Sequence, residues 1–401
     1  MAGSSRFEAL DAWRGICAIL IVVFHFIAML PSPLTGASFI RNAYLFVDFF
    51  FVLSGFVLCH GYRGKISGVA DLWRFAVRRF GRVWPLHAVV LTTFVAAVLF
   101  INARQHPHDL ALTWDATDYA GRALLPQYLL LNAMGLQGNS WNGPAWSIGA
   151  EFYTYLLFAL LLLLFAARQL ISACAVLVLA ALAFIFWNAP DLMNTTWDYG
   201  FVRCLAGFFG GVIAYHVYER RKRQPILRAT MRETVVVALV AGFVVWAGEG
   251  PDSVSALSLA APLVFGVAVI VFAGEGGLLS LLLRARPFQA LGRYSYSIYM
   301  IHQPLLVMLC YGIWSNGYTT KAFGSAQPWS GSSTLVLVDF VLAVILIAAA
   351  SYRFVEVPAR DCFNRLAETV TESSAVARTP RSVRAQSIMR YASARRGRSR
   401  A

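Results

Sequence analysis

Apolar residues in this chain gather into long unbroken runs instead of alternating with polar ones at strand or helix period. Runs near twenty residues recur at about 12–31, 43–62, 83–103, 145–167, 169–187, 199–218, 233–248, 254–273, 290–312 and 333–354. Twenty helical residues at about 1.5 Å each cover the roughly 30 Å of hydrocarbon in a bilayer. The pattern therefore predicts an all-α, polytopic integral membrane protein with about ten transmembrane helices. The expected membrane domain covers residues 1–360. Residues 361–401, rich in Arg, Ser and Ala and without apolar period, read as a basic, disordered tail that touches anionic lipid and carries no chemistry.

Composition agrees with the runs. Of 401 residues 58% are hydrophobic and 13% charged, and the mean hydropathy is +0.61. Soluble domains average about a quarter charged, so a cytosolic enzyme, a disulfide scaffold and a disordered chain are excluded. The formal charge of +14 is not a nucleic-acid signal, because of where it sits. Basic clusters fall at Arg63–Arg82, Arg220–Arg232 and Arg284–Arg293, and eleven further arginines follow from Arg353 onward. With an even number of spans all of these lie on the side of the N-terminus, and by the positive-inside rule both termini are cytoplasmic. The first run resembles a signal peptide in length. Asp11, Arg14 and His25, and the lack of a small-x-small cleavage site, read it as a retained span. The six cysteines show no ligand or disulfide spacing, and no metal is expected.

Ionisable groups inside a span are costly and by default mark function. Arg14 and His25 are eleven residues apart, which returns them to nearly the same helix face about 16 Å apart along the axis, with Asp11 on the same stripe. His25 reads equally as a hydrogen-bonded interior histidine. Asp48 and Ser54 sit in an aromatic span, where Ser54 and Gly55 permit close helix packing. Arg79 and Arg82, one turn apart and followed by Trp84 and Pro85, make a fork suited to phosphate, although lipid headgroups suit it as well. Pro144 opens a span on which Ser147, Glu151 and Tyr155 share a stripe beside Trp146. The ninth run carries Tyr294, Tyr296, Tyr299 and His302. In the loop at about 104–142, His106, His108, Asp109, Trp114, Asp115 and Tyr128 are candidates to cover an acceptor, or an ordinary interfacial aromatic belt.

Taken in order, Arg14-x10-His25, Phe49-Phe-Phe-Val-Leu-Ser-Gly-Phe56, Arg79-x-x-Arg82, Trp146-Ser-x-x-x-Glu151, Phe209-Gly-Gly211 and Ser295-Tyr-Ser-Ile-Tyr-Met-Ile-His-Gln-Pro304 resemble the membrane acyltransferase family 3. These are bacterial O-acyltransferases of surface polysaccharides and Nod factors. The resemblance implies transfer of an acyl group, usually acetyl, from cytoplasmic acyl-CoA to a glycan hydroxyl on the outer side of the bacterial inner membrane. It implies that Arg14, Arg79 and Arg82 hold the donor phosphates and that His25 is the general base. Glu151 is expected to orient that imidazole or bind sugar, and His302 to join the catalytic set. Asp48, Ser147, Trp146 and Tyr299 are expected to meet substrate.

One feature departs from many family members. Residues after 358 leave no room for an appended SGNH hydrolase-like domain, so a separate periplasmic acyl-transfer protein or direct transfer is expected to complete the step. A proton-coupled secondary transporter, using Asp48, Glu151, His25 and His302 as a relay, and a non-catalytic scaffold are the readings from other classes. The first lacks an internal repeat and the second leaves the buried charges unexplained.

Overall fold

The computed structural model describes residues 6–104, 119–136, 138, 140–221, 225–248, 254–316, 318–319, 327–328 and 333–378. Among them ten helices are long and apolar enough to cross a membrane. They are built on α1 (Glu8–Met29), α2 (Phe46–Tyr62), α3 (Val69–Arg104), α4 (Trp146–Leu164), α5 (Ala167–Asn188), α6 (Gly200–Glu219), α7 (Ile226–Ala247), α8 (Ala261–Ala273), α9 (Arg286–Ser315) and α10 (Ser333–Ser351). An eleventh helix, α11 (Val357–Arg378), follows α10 through a π-helical turn at Tyr352–Glu356. Two strand pieces of two residues each, β1 (Tyr318–Thr319) and β2 (Gln327–Pro328), pair in parallel.

Two helices begin well before their apolar runs. α3 starts at Val69 where the run starts at 83, and α7 at Ile226 where the run starts at 233. The added turns carry Arg74, Arg78, Arg79 and Arg82 in one case and Arg228 and Arg232 in the other. Hydropathy is blind to such turns, yet arginine is a good helix former and nothing there breaks the helix. The C-terminal boundary also moves. Helix continues across position 360 and packs α11 along α3, with Phe363 seated on Gly81. Residues 379–401 lie outside the described residues.

Two close crossings organise the bundle. α1 runs along α9 and α2 along α6. A Cβ on Gly15 would stand 2.6 Å from the backbone of Gly292, and a Cβ on Gly55 or Gly211 would collide with the carbonyls of Phe208 or Val52. Small residues let backbones touch where lipid offers no hydrophobic drive to pack, so Gly55 performs the packing read from the sequence and Ser54 is left for other use. α8 fills the angle between α2, α6 and α7, while α4 bridges α6 and α3. The spans containing α2 and α6 are 78% and 67% buried, against 22% for the α5 span, which identifies the centre and the lipid-facing rim.

Candidate active site

A cavity of about 160 Å³ opens where α1, α2, α3, α4 and α9 converge. Its wall gathers Arg14, Ser54, Arg79, Arg82, Ser147, Glu151 and Tyr299, residues that are up to 285 positions apart in sequence (299 − 14). Arg14 is oriented by Asp11 at 3.3 Å and by the Ser295 hydroxyl at 3.1 Å. Arg82 is ion-paired to Glu356, whose other oxygen accepts from the Ser297 hydroxyl at 2.9 Å. Arg79 differs. Its guanidinium lies over the rings of Tyr62 and Phe75, at 5.6 Å and 5.9 Å, and it has no ion pair among the described residues. The two arginines of the fork are therefore unequal: Arg82 is balanced by protein, and Arg79 offers an uncompensated charge to an anion.

Across the cavity the Ser54 hydroxyl donates to the Glu151 carboxylate. The Ser147 and Tyr299 hydroxyls are 2.8 Å apart, and both reach the Pro144 carbonyl, at 3.1 Å and 3.0 Å. Tyr299 also borders a second feature, its ring centre lying 5.8 Å from that of His302.

His302 Nε2 is 3.2 Å from His25 Nδ1, and His25 Nδ1 is 2.9 Å from the carbonyl of Ile21. His302 Nδ1 in turn faces the Ile298 carbonyl at 3.3 Å. A carbonyl only accepts, so this network assigns the proton to Nδ1 in both rings. His302 Nε2 is then an acceptor aimed at the His25 Nδ1–H, and His25 Nε2 is left as a bare lone pair. His302 is fully buried while His25 is half-buried, so the ring with the free lone pair is also the accessible one. The parallel run of α1 and α9 produces this: one register sets Gly15 on Gly292, Arg14 on Ser295 and, further along, His25 on His302.

The helix bearing His302 has a local device. Pro304 has no N–H for the carbonyl four residues back, Met300. The side-chain amide of Asn142 donates to that carbonyl at 2.9 Å, mending the helix from outside.

The profile of a family described as an acyltransferase domain matches residues 7–353. The chain belongs to the membrane acyltransferase family 3. This acyltransferase is similar to "Acyltransferase MdmB" of Streptomyces mycarofaciens, 27% identical over 75% of this chain and 76% of the relative. It is 33% identical over 38% of its length to "Protein 2 in picA locus" of Rhizobium radiobacter, covering 81% of that protein. It is also 22% identical over 88% of its length to "Peptidoglycan O-acetyltransferase OatA" of Listeria monocytogenes, spanning 55% of it. No solved structure matches significantly. The protein is thus a multi-pass membrane enzyme that transfers acyl groups.

Within the acyltransferase three expectations are corrected. Asp48 does not line the cavity: both its oxygens bind Arg203, at 3.0 Å and 2.7 Å, and the pair is 0% and 1% exposed. Arg203 also donates to the carbonyls of Thr195 and Tyr44, each at 3.0 Å. Trp146 covers this pair, its ring 5.4 Å from the Arg203 guanidinium, and does not line the cavity. Glu151 pairs with Ser54, whereas His25 is oriented by Ile21 and His302. Sequence reasoning missed Arg203, Glu356 and Asn142. A signal for the first was present, since a carboxylate deep in a span demands a cation in another. Of the outer-loop candidates, His106, His108, Asp109, Trp114 and Asp115 lie outside the described residues, and the Tyr128 hydroxyl is tied to Thr92 at 2.8 Å.

Proposed function

We propose that this acyltransferase takes an acyl group, acetyl in the simplest case, from acyl-CoA on the cytoplasmic side of a bacterial inner membrane and passes it to a glycan hydroxyl on the other side. The observation that carries the reading is the shared register of α1 and α9. It sets a cationic cavity at one level, with Arg14 and the unpaired Arg79, and an imidazole with a free lone pair about 16 Å further along the same helix, eleven residues at about 1.5 Å each. Coenzyme A has matching parts, polyanionic at one end and a thioester at the end of a long arm. The basic asymmetry of the loops supports a cytoplasmic donor, and the likeness to the peptidoglycan O-acetyltransferase of Listeria supports a glycan acceptor.

The chemistry follows from the proton positions. His25 Nε2 takes the proton of the acceptor hydroxyl as its oxygen attacks the thioester carbonyl. The C–S bond then breaks, and the proton on Nε2 passes to the departing thiolate. While Nε2 is protonated the ring is cationic, and its Nδ1–H bond to His302 becomes charge-assisted and stronger. His302 thus does for His25 what a carboxylate does elsewhere, without a fixed negative charge inside the membrane.

The test is transfer from labelled acetyl-CoA to glycan by purified protein in proteoliposomes. His25→Gln should lower turnover by about two to four orders of magnitude, the usual scale of general base catalysis, with acetyl-CoA binding retained. Folded His25→Gln protein transferring at near wild-type rate would end this assignment. Mass spectrometry of surface glycans from a deletion strain would identify the acyl group and acceptor together.

A further inference from the structure

A second cavity, about 860 Å³, opens where the start of α1 meets the ends of α2, α6 and α8 and the first turns of α7. It shares no lining residue with the cavity of the candidate active site. Part of its wall is aromatic, with Phe7 and Tyr218 in edge contact at 5.8 Å. The rest is charged, and the charges do not cancel.

Two carboxylates line it, and both are occupied. Glu219 is bound through both oxygens by Arg63, each at 2.6 Å. Glu275 accepts from the Ala9 amide at 2.8 Å and from Arg284 at 2.9 Å. Of the lining arginines, Arg6 pairs with Asp11 at 2.5 Å and Arg284 with Glu275. Arg221 and Arg232 remain. Arg221 reaches only the Ile270 carbonyl, at 3.4 Å, and Arg232 has no hydrogen bond or ion pair among the described residues. Partial burial and, after it, the charge of Arg232 lower the pKa of Arg221 from the ordinary arginine value, and both side chains line the same cavity. A helix C-terminus explains a cation at Arg221. It does not explain Arg232, two turns into α7, turned towards the same space.

We propose that this cavity is a phosphate-binding site separate from the site of acyl transfer, in which Arg221 and Arg232 share one phosphate group. Two planar forks that line one cavity, neither of them held by a carboxylate, match the several acceptor oxygens of a phosphate better than the pair of a carboxylate. The phosphate belongs either to an anionic lipid headgroup or to a free phosphoester from the aqueous side, and the same residues serve both.

The experiment uses full-length protein in two arms. In the first, native mass spectrometry compares retention of phosphatidylglycerol with that of phosphatidylcholine. In the second, protein in phosphatidylcholine nanodiscs is titrated with inorganic pyrophosphate. The wild type should hold phosphatidylglycerol, pyrophosphate or both, the arm that responds identifying the source. Arg221→Gln/Arg232→Gln should weaken that binding by at least about tenfold, the scale of losing a charge-assisted hydrogen bond. Arg228→Gln, an exposed arginine of α7 that does not line the cavity, should bind as the wild type does. Arg232→Lys keeps the charge and the fold but loses the fork, and should fall between. Wild-type protein that holds neither probe would overturn the proposal, and so would equal losses in Arg228→Gln and the double variant.

Discussion

Replacing Asp48 by Asn removes one member of a charge pair that is 0% and 1% exposed. The geometry allows the cost to be stated. Arg203 makes two bonds to the carboxylate and two to backbone carbonyls, and at 1% exposure it has almost no solvent-facing surface through which to replace what is lost. Breaking one partner of such a pair leaves a buried charge uncompensated, at a cost of about 3–5 kcal/mol. Arg203→Met should cost at least as much as Asp48→Asn, because it also strands the carbonyls of Tyr44 and Thr195. The double variant Asp48→Leu/Arg203→Met should recover much of the loss, since an apolar pair of similar volume is often neutral. Thermal melting of the purified protein in detergent, read by tryptophan fluorescence, measures all three, with acetyl transfer assayed on the same samples. Activity should follow stability across the series. Asp48→Asn protein that melts as the wild type but no longer transfers would refute the reasoning and return Asp48 to the substrate.

Two further outcomes test the site. Arg79→Gln should weaken acetyl-CoA binding by about tenfold or more with little change in melting, as expected for an unpaired phosphate ligand, whereas Arg82→Gln should mainly destabilise, because the buried Glu356 then loses its counterion and keeps only the Ser297 hydroxyl; calorimetric titration beside melting reverses the assignment if the two patterns exchange. Asn142→Ala should lower stability by about 1–3 kcal/mol, the cost of an unmet buried carbonyl, and lower kcat with KM for acetyl-CoA unchanged; steady-state kinetics showing kcat intact would make Asn142 a purely structural mend.

The spans were legible in the sequence because each needs some twenty apolar residues in a row, and no tertiary contact is required to see that. The early turns of α3 and α7 were not, because their arginines erase the hydropathy signal while leaving the helix intact. Spacing along one helix correctly placed Arg14 and His25 on one face, and Ser147 with Glu151 on another. It does not say which faces meet, so His25 and His302 were each singled out without their mutual contact being visible. The same limit explains Asp48. A lone carboxylate in a span looks like a substrate ligand until its partner, 155 residues later, is seen folded against it. The π turn that aims Glu356 at Arg82 has no sequence mark at all.

That last contact has a consequence for how the protein is made. Glu356 lies 274 residues after Arg82, so the ribosome delivers the counterion long after the cation. Until the turn after α10 is made, Arg82 is without its ion-pair partner. The final turns bring Glu356 to Arg82, a residue of the cavity wall, and Phe363 onto Gly81. A chain truncated before that turn would lack the counterion of one arginine of the cavity wall.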